Sequence, residues 1–234
     1  MVGGTLTGKF ETERDTKADG GDVLVAPELL WLEKSAKEGA LKAPSGPAMR
    51  GWPSKYMLGG MAPILTLEPM IMVYNSNLIK TPVTGYQDLL KPEFKGRTGT
   101  FGPIAPVVVA WYDWLEKTQG GDFLSKYASQ DPKVYPSSLA STQAVASGEL
   151  MVNTFSQVAF AQPLIDQGAP MRIVLPKPAF GIGYGAGIVG WSKRPNAALV
   201  LLDSLMSPRG QAACVGKGDV VGLVKAFERP VDSD

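Results

Sequence analysis

The chain has 234 residues, 44% of them hydrophobic, and balances 23 basic against 22 acidic side chains for a formal charge of +1. That length suits one large domain or two modest lobes with a sizeable core, which excludes a disordered chain, and the absence of a basic stripe or acidic tail argues against a nucleic-acid partner. The single cysteine, Cys214, excludes a disulfide framework and a cysteine-rich zinc site, and the lack of any histidine removes the commonest general base and transition-metal ligand.

In chain order, the polar stretch after Thr7, "TGKFETERDTKAD", is compatible with a short helix. "DVLVAP" (22–27) is a brief β-branched run ended by proline and reads as a buried strand. "PELLWLEKSAKEGAL" (27–41) follows as a helix, with Pro27 near its first turn and Gly39 as its stop. Residues 42–63, rich in Gly and Pro, read as a long surface connection, where Trp52 and Tyr56 are either a cleft wall or a packed staple. "MIMVYN" (70–75) is a strand, and Thr84 is placed to cap a short helix ending before Pro92.

The alternation continues. "RTGTF" is a strand and "PVVVAWYDWLEKTQGG" a helix with Val107, Val108, Trp111 and Leu115 on one face. Residues 122–130 and 138–149 are expected helices, the second capped by Ser138. Then come a strand at 150–155, a helix interrupted at Pro163, strands at 171–176 and 185–191, and a helix opened by Pro195. Strands separated by helices imply βαβ units and mainly parallel sheets, so the fold class is α/β. No span approaches the roughly 18 consecutive apolar residues of a membrane helix. The first fifteen residues show neither the basic nor the apolar region of a signal peptide.

Segments running from "TLTGKFETERDTKADGGDVLVAPELLWLEKSAKEGAL" through "LKPEFKGR", "AVASGE" and "SPRGQ" together resemble the type 2 periplasmic solute-binding proteins of ABC importers. The most similar branch contains the iron(III)-binding proteins and their relatives for small organic solutes. The resemblance covers nearly the whole chain. It implies two α/β lobes closing over a solute: residues 1–75 with 180–234 as the first, and 76–179 as the second. It also implies a non-catalytic receptor without a cofactor, outside the cytoplasmic membrane, with an ABC permease as partner.

Family members begin with a leader and a strand–helix–strand unit before the equivalent of Thr5. Its absence leads us to expect an incomplete first lobe with exposed strand edges, which a homodimer would be one way to cover.

Cleft residues follow from the rule that open α/β sheets bind ligands beyond the carboxyl ends of their strands. On the loop after "DVLVA" the candidate is Glu28, and on the "GPIAP" loop Pro103 and Ile104. Further along are Ser137 and Ser138, then Thr154, Phe155, Ser156 and Gln157, and finally Tyr184 among the glycines of "GIGYGAG". In the iron-binding relatives a tyrosine pair supplies anionic oxygens. The matching positions here are Val158 and Ala159, and the glutamate position falls on Pro27, so no metal site is expected. The same relatives hold an anion on a Ser/Gly-rich turn where this chain has Pro103, Ile104 and Pro106. The exchange removes N–H donors and adds apolar surface. A carboxylate on an apolar body suits that loop better than phosphate, so the expected cargo is a small organic anion. Two alternatives stay open: an iron(III) receptor, and an enzyme on the same fold using Cys214 with a carboxylate such as Asp219.

Overall fold

The computed structural model describes residues 3–215 and 221–222, and the side chains of residues 6–213. The chain divides into two compact units: residues 1–68 with 182–234, and residues 69–181. Expected and observed boundaries differ at residues 69–75 and at 180–181. The strand in the first of these stretches is central to the second sheet, because it pairs on both sides within that unit.

The first unit carries a six-stranded sheet. Strands β1 (Val23–Ala26), β4 (Ala62–Pro69), β10 (Gly181–Val189) and β11 (Val221–Gly222) run in the order β1-β10-β4-β11. The two-residue strands β2 (Leu41–Lys42) and β3 (Met57–Leu58) add to β10 and β4. Helices α1 (Gly3–Thr16) and α2 (Leu29–Lys37) cover one face. There the Phe10 ring meets Trp31 edge-on at 4.9 Å and Trp191 at 4.8 Å. Helix α7 (Pro195–Met206) covers the other face with Ala198, Leu202 and Met206, and α8 (Pro208–Val215) follows it.

The glycines of β10 find their purpose in this layering. Alternate residues of a strand share a face, and Gly183, Gly185 and Gly187 all turn toward α2 and β2. A Cβ at these positions would lie 2.9 Å from Leu29, 2.7 Å from Leu32 and 2.8 Å from Leu41. Three leucines therefore rest directly on the strand backbone. On the opposite face Ala186 and Ile188 meet α7.

The second unit holds a five-stranded sheet in the order β7-β6-β8-β5-β9. Its strands are β5 (Ile71–Asn75), β6 (Thr98–Phe101), β7 (Lys133–Tyr135), β8 (Val152–Ser156) and β9 (Met171–Val174). Its helices are α3 (Pro106–Gln119), α4 (Phe123–Ser129), α5 (Ser138–Ala146) and α6 (Val158–Asp166). Val108, Trp111 and Leu115 form the buried face of α3, and Val107 is only half-buried.

Several expectations are corrected. The sheets are not mainly parallel: in the second, β6 pairs parallel with β7 and β8 whereas β8–β5 and β5–β9 are antiparallel, and in the first, β1–β10 and β4–β11 are antiparallel. Parallel pairing needs a crossover helix, and α3 and α5 supply crossovers only around β6. The connection expected over 42–63 runs directly into β4, a strand that Pro63 and Pro69 disguise at its two ends. The short helix before Pro92 is a 3-10 turn, Tyr86–Leu90, and there the backbone N–H and the hydroxyl of Thr84 donate to Asp88. Helix α6 continues through Pro163, which lies on its exposed side; Gln167 N–H bonds to the Pro163 carbonyl, so one lost bond does not end it. Trp52 is a staple: its Nε1 donates to the Tyr56 carbonyl at 3.2 Å and its ring packs on the α7 layer.

Candidate functional site

The carboxyl ends of β6, β7 and β8 lie on one edge of the second sheet, because both pairings are parallel. Within five residues of each strand end a helix begins: α3 after β6, α5 after β7 and α6 after β8. All three helices therefore open their positive ends at this edge. Their caps, Ala105, Ser137 and Gln157, are all in extended conformation. In α3 the N–H groups of Val108 and Val109 both turn back to the Ala105 carbonyl and Pro106 has none, which leaves Val107 N–H without a backbone partner among the described residues. At α5 Ser137 Oγ accepts from Ala140 N–H at 3.1 Å, making Ser137, not Ser138, the cap. The N–H groups of Ser138, Leu139, Val158 and Ala159 have no backbone partner among the described residues, as first-turn geometry dictates.

A buried polar network fixes this edge. Thr142 Oγ1 lies 2.7 Å from Ser156 Oγ and accepts from Asn153 Nδ2 at 3.1 Å. Ser138 Oγ donates to the Phe155 carbonyl at 2.8 Å, and Thr154 Oγ1 to the Gly99 carbonyl at 3.1 Å. Tyr112 OH, 2.8 Å from Thr100 Oγ1, donates to the Phe101 carbonyl and ties α3 to the end of β6. Desolvation raises the Tyr112 phenol against the hydrogen bond from Thr100. Tyr135 is pushed up to about 12, first by desolvation and then by its 2.7 Å bond to the Glu149 carboxylate.

Above this rigid floor the "GPIAP" loop is open and apolar. Ile104 is 70% exposed and Val134 66%. A Cβ on Gly102 would meet both side chains, Val134 at 3.2 Å and Ile104 at 3.8 Å, so the two form one patch. Pro103 is exposed beside them.

The expected site residues thus separate. Ser138, Thr154 and Ser156 are buried and spend their hydroxyls inside the unit, and Phe155 is buried against Trp111 at 4.8 Å and Phe101 at 6.1 Å. These four side chains take part in the packing and hydrogen bonding of the second unit. Pro103 and Ile104 are open, Ser137 and Gln157 half-buried at helix starts. In the first unit Glu28 caps α2 without a side-chain cap bond. Tyr184 leaves the glycine face and donates to Glu68, a carboxylate only 7% exposed, at 3.0 Å. Thr142, Asn153 and Tyr112 escaped the sequence reading; the i, i+4 pair Ser138/Thr142 and the polar residues inside the apolar run "LMVNTFS" were its available signals. Cys214 lies in α8, but its side chain and Asp219 fall outside the described residues. Among the described residues no group of three His, Cys, Asp or Glu side chains is placed to hold a metal ion, and no helix is long and apolar enough to cross a membrane.

Two α/β units, the second with a mixed sheet and helix starts gathered at a strand-end edge, fit the class of the type 2 solute-binding receptors. The chain belongs to the bacterial extracellular solute-binding proteins, whose family model matches residues 7–218. No curated protein matches the sequence. Among solved structures, the chain is similar to the substrate-binding protein of an ABC transporter from Agrobacterium tumefaciens, at a TM-score of 0.82 and 18% identity over 100% of this chain and 72% of that one. It is also similar to iron-bound HitA from Pseudomonas aeruginosa, at 0.74 and 19% over 92% and 73%. A third is the periplasmic binding protein AfuA from Actinobacillus pleuropneumoniae, with exogenous fructose-6-phosphate bound, at 0.73 and 18% over 95% and 75%. The family is one of solute-binding proteins, and the similar solved structures include an ABC-transporter substrate-binding protein and a periplasmic binding protein.

Proposed function

We propose that this receptor captures a small organic anion with an apolar body and delivers it to an ABC permease. The supporting observation is the edge of the second unit, where three helix starts present N–H groups without a backbone partner among the described residues beside the exposed Ile104–Val134 patch. The N–H groups and helix dipoles favour a negative end, and the patch favours hydrocarbon next to it. Pro106 removes one donor from α3, so the anion is held weakly and the apolar contact carries more of the affinity. A ligand that binds one conformation of such a receptor better than another shifts the population toward it, which is how hinge closure would signal a loaded receptor to the permease.

Iron(III) is the less favoured cargo: likeness to iron-bound HitA is a likeness of fold. Valine and alanine stand where hard oxygen ligands would be required. A homodimer has no support in the comparisons. The test is a thermal-shift panel of aliphatic and aromatic carboxylates, with inorganic phosphate and ferric citrate as controls. Carboxylates with apolar bodies are expected to raise Tm, and Ile104→Asp to weaken them at least tenfold. Stabilisation by ferric iron or phosphate alone would overturn the reading.

A further inference from the structure

Within the second unit, side-chain hydrogen bonds brace α5 against the last residues of β8. Ser138 Oγ donates to the Phe155 carbonyl at 2.8 Å, Asn153 Nδ2 donates to Thr142 Oγ1 at 3.1 Å, and Ser156 Oγ lies 2.7 Å from the same Thr142 oxygen. Thr142 has one hydroxyl proton, and it goes to the Ser138 carbonyl at 2.7 Å, so Ser156 is the donor in the pair they share. Ser141 Oγ donates to that same carbonyl at 3.0 Å. Every one of these side chains is buried. Exchanging both partners of a buried hydrogen bond for apolar groups of the same shape can be nearly neutral for stability. A cluster of such bonds beside the anion edge calls for a reason besides stability.

The reason lies in the peptide unit that follows Ser138. Its carbonyl and the N–H of Leu139 belong to one planar trans group and point in opposite directions. Two hydroxyls behind the carbonyl therefore fix where that N–H points. Leu139 N–H is one of the first-turn groups with no backbone partner among the described residues. Hydrogen bonds in series polarise one another, so hydroxyls that donate to this carbonyl also make the N–H across the peptide a better donor. Asn153 and Ser156 hold Thr142 in register with β8, and Ser156 directly precedes Gln157, the cap of α6.

We infer that Thr142 and Ser141 are positioning residues for the solute: through the Ser138 carbonyl they aim and strengthen the Leu139 N–H that receives the carboxylate. This rests on the proposed anion-binding reading and names the residues that tune it. Both side chains are fully buried and their protons are spent inside the unit, so neither touches the solute. Donors at a binding site need support that holds them to about 0.5 Å. Loss of a supporting hydroxyl then weakens binding without removing a contact.

Titration calorimetry with 3-phenylpropanoate and its uncharged counterpart 3-phenylpropanamide tests this, at a temperature where every variant is folded. Thr142→Val is expected to bind the carboxylate about tenfold more weakly, the scale on which hydrogen bonds behind a metal's ligands tune its affinity. Ser141→Ala should act in the same direction by less, and Thr142→Ser should stay close to the wild type. The ratio of carboxylate to amide affinity should fall in Thr142→Val and Ser141→Ala, because the loss acts on the charged end. Leu89→Ala controls for stability alone. Leu89 is fully buried in the 3-10 turn of the same unit, and its truncation should lower Tm at least as much while leaving both affinities unchanged. Wild-type affinity in Thr142→Val and Ser141→Ala, an unchanged ratio, or an equal loss in Leu89→Ala overturns the inference while the carboxylate reading stands. If neither 3-phenylpropanoate nor any other carboxylate of the thermal-shift panel binds the wild type, both fall together.

Discussion

The two units solve the same problem, burying both faces of a sheet, with opposite chemistry. In the first, the central strand β10 gives up its side chains on one face, and leucines from α2 and β2 fill the space against bare backbone. In the second, the sheet keeps its side chains, and many are hydroxyls and amides: Thr98, Thr100, Asn153, Thr154 and Ser156 are all buried. Steric fit holds one unit and completed hydrogen bonding holds the other. The lesson is that the same fold tolerates different mutations in its two halves. An added methyl is the serious injury in the first unit, and a removed oxygen is the serious injury in the second.

The largest effect is expected from Gly185→Val. Its Cβ alone would sit 2.7 Å from the Leu32 side chain, so Leu32 must move or α2 must lift from the sheet, and overpacking of this kind costs about 1–3 kcal/mol. Denaturant unfolding measures it, and a change below half a kcal/mol would mean that α2 is not seated as described. In the second unit Thr142→Val keeps shape but deprives Ser156 Oγ and Asn153 Nδ2 of a shared partner. The expected loss is about 1–3 kcal/mol. Thr142→Ser, which restores the oxygen, should recover most of it; recovery by valine instead would make packing the controlling term. Ser137→Ala removes the cap of α5 and is expected to cost about 1 kcal/mol in the same measurement.

The smallest effect is one of pH. At Asp88 desolvation acts upward, but it is outweighed by hydrogen bonds from Lys91 and Thr84, which hold the carboxyl at about 2. A depressed carboxyl stabilises the fold above its unfolded value, and that contribution is lost as pH falls toward 2. Asp88→Asn should therefore flatten the acid limb of a Tm–pH curve between about pH 4 and 2. An acid limb identical to the wild type would place the sensitive carboxylates elsewhere. The neighbouring Tyr86, raised to about 12 by burial against a hydrogen bond from Trp111, acts at the other end. Its contribution is complete below pH 10 and declines as pH rises through 12.

Much of the architecture was legible in the sequence because it is local. β-Branched runs, Pro27 and Pro195 at helix starts and Gly39 as a stop, with φ +73°, act through their own backbone preferences wherever they occur. What local reasoning lost was of a different kind. Strand β4 went unassigned beyond the connection expected over 42–63, because prolines stand near its two ends, and β7 is three residues long, too short for any period to show. Ser137 and Ser138 are indistinguishable in sequence as caps. Only the approach of Phe155 decides that Ser138 turns inward, leaving Ser137 to hold the helix start.

The sequence by itself determined the α/β class, the order of most elements and the apolar character of the loop at Pro103 and Ile104. It did so because propensity, capping and composition depend on neighbours along the chain. Tertiary structure alone decided the directions of strand pairing in the sheets, the use of the β10 glycines as a bed for leucines, and the division of polar residues between the interior and the ligand edge. Those outcomes depend on which distant atoms arrive within about 3 Å of one another, the range over which hydrogen bonds and steric contact act.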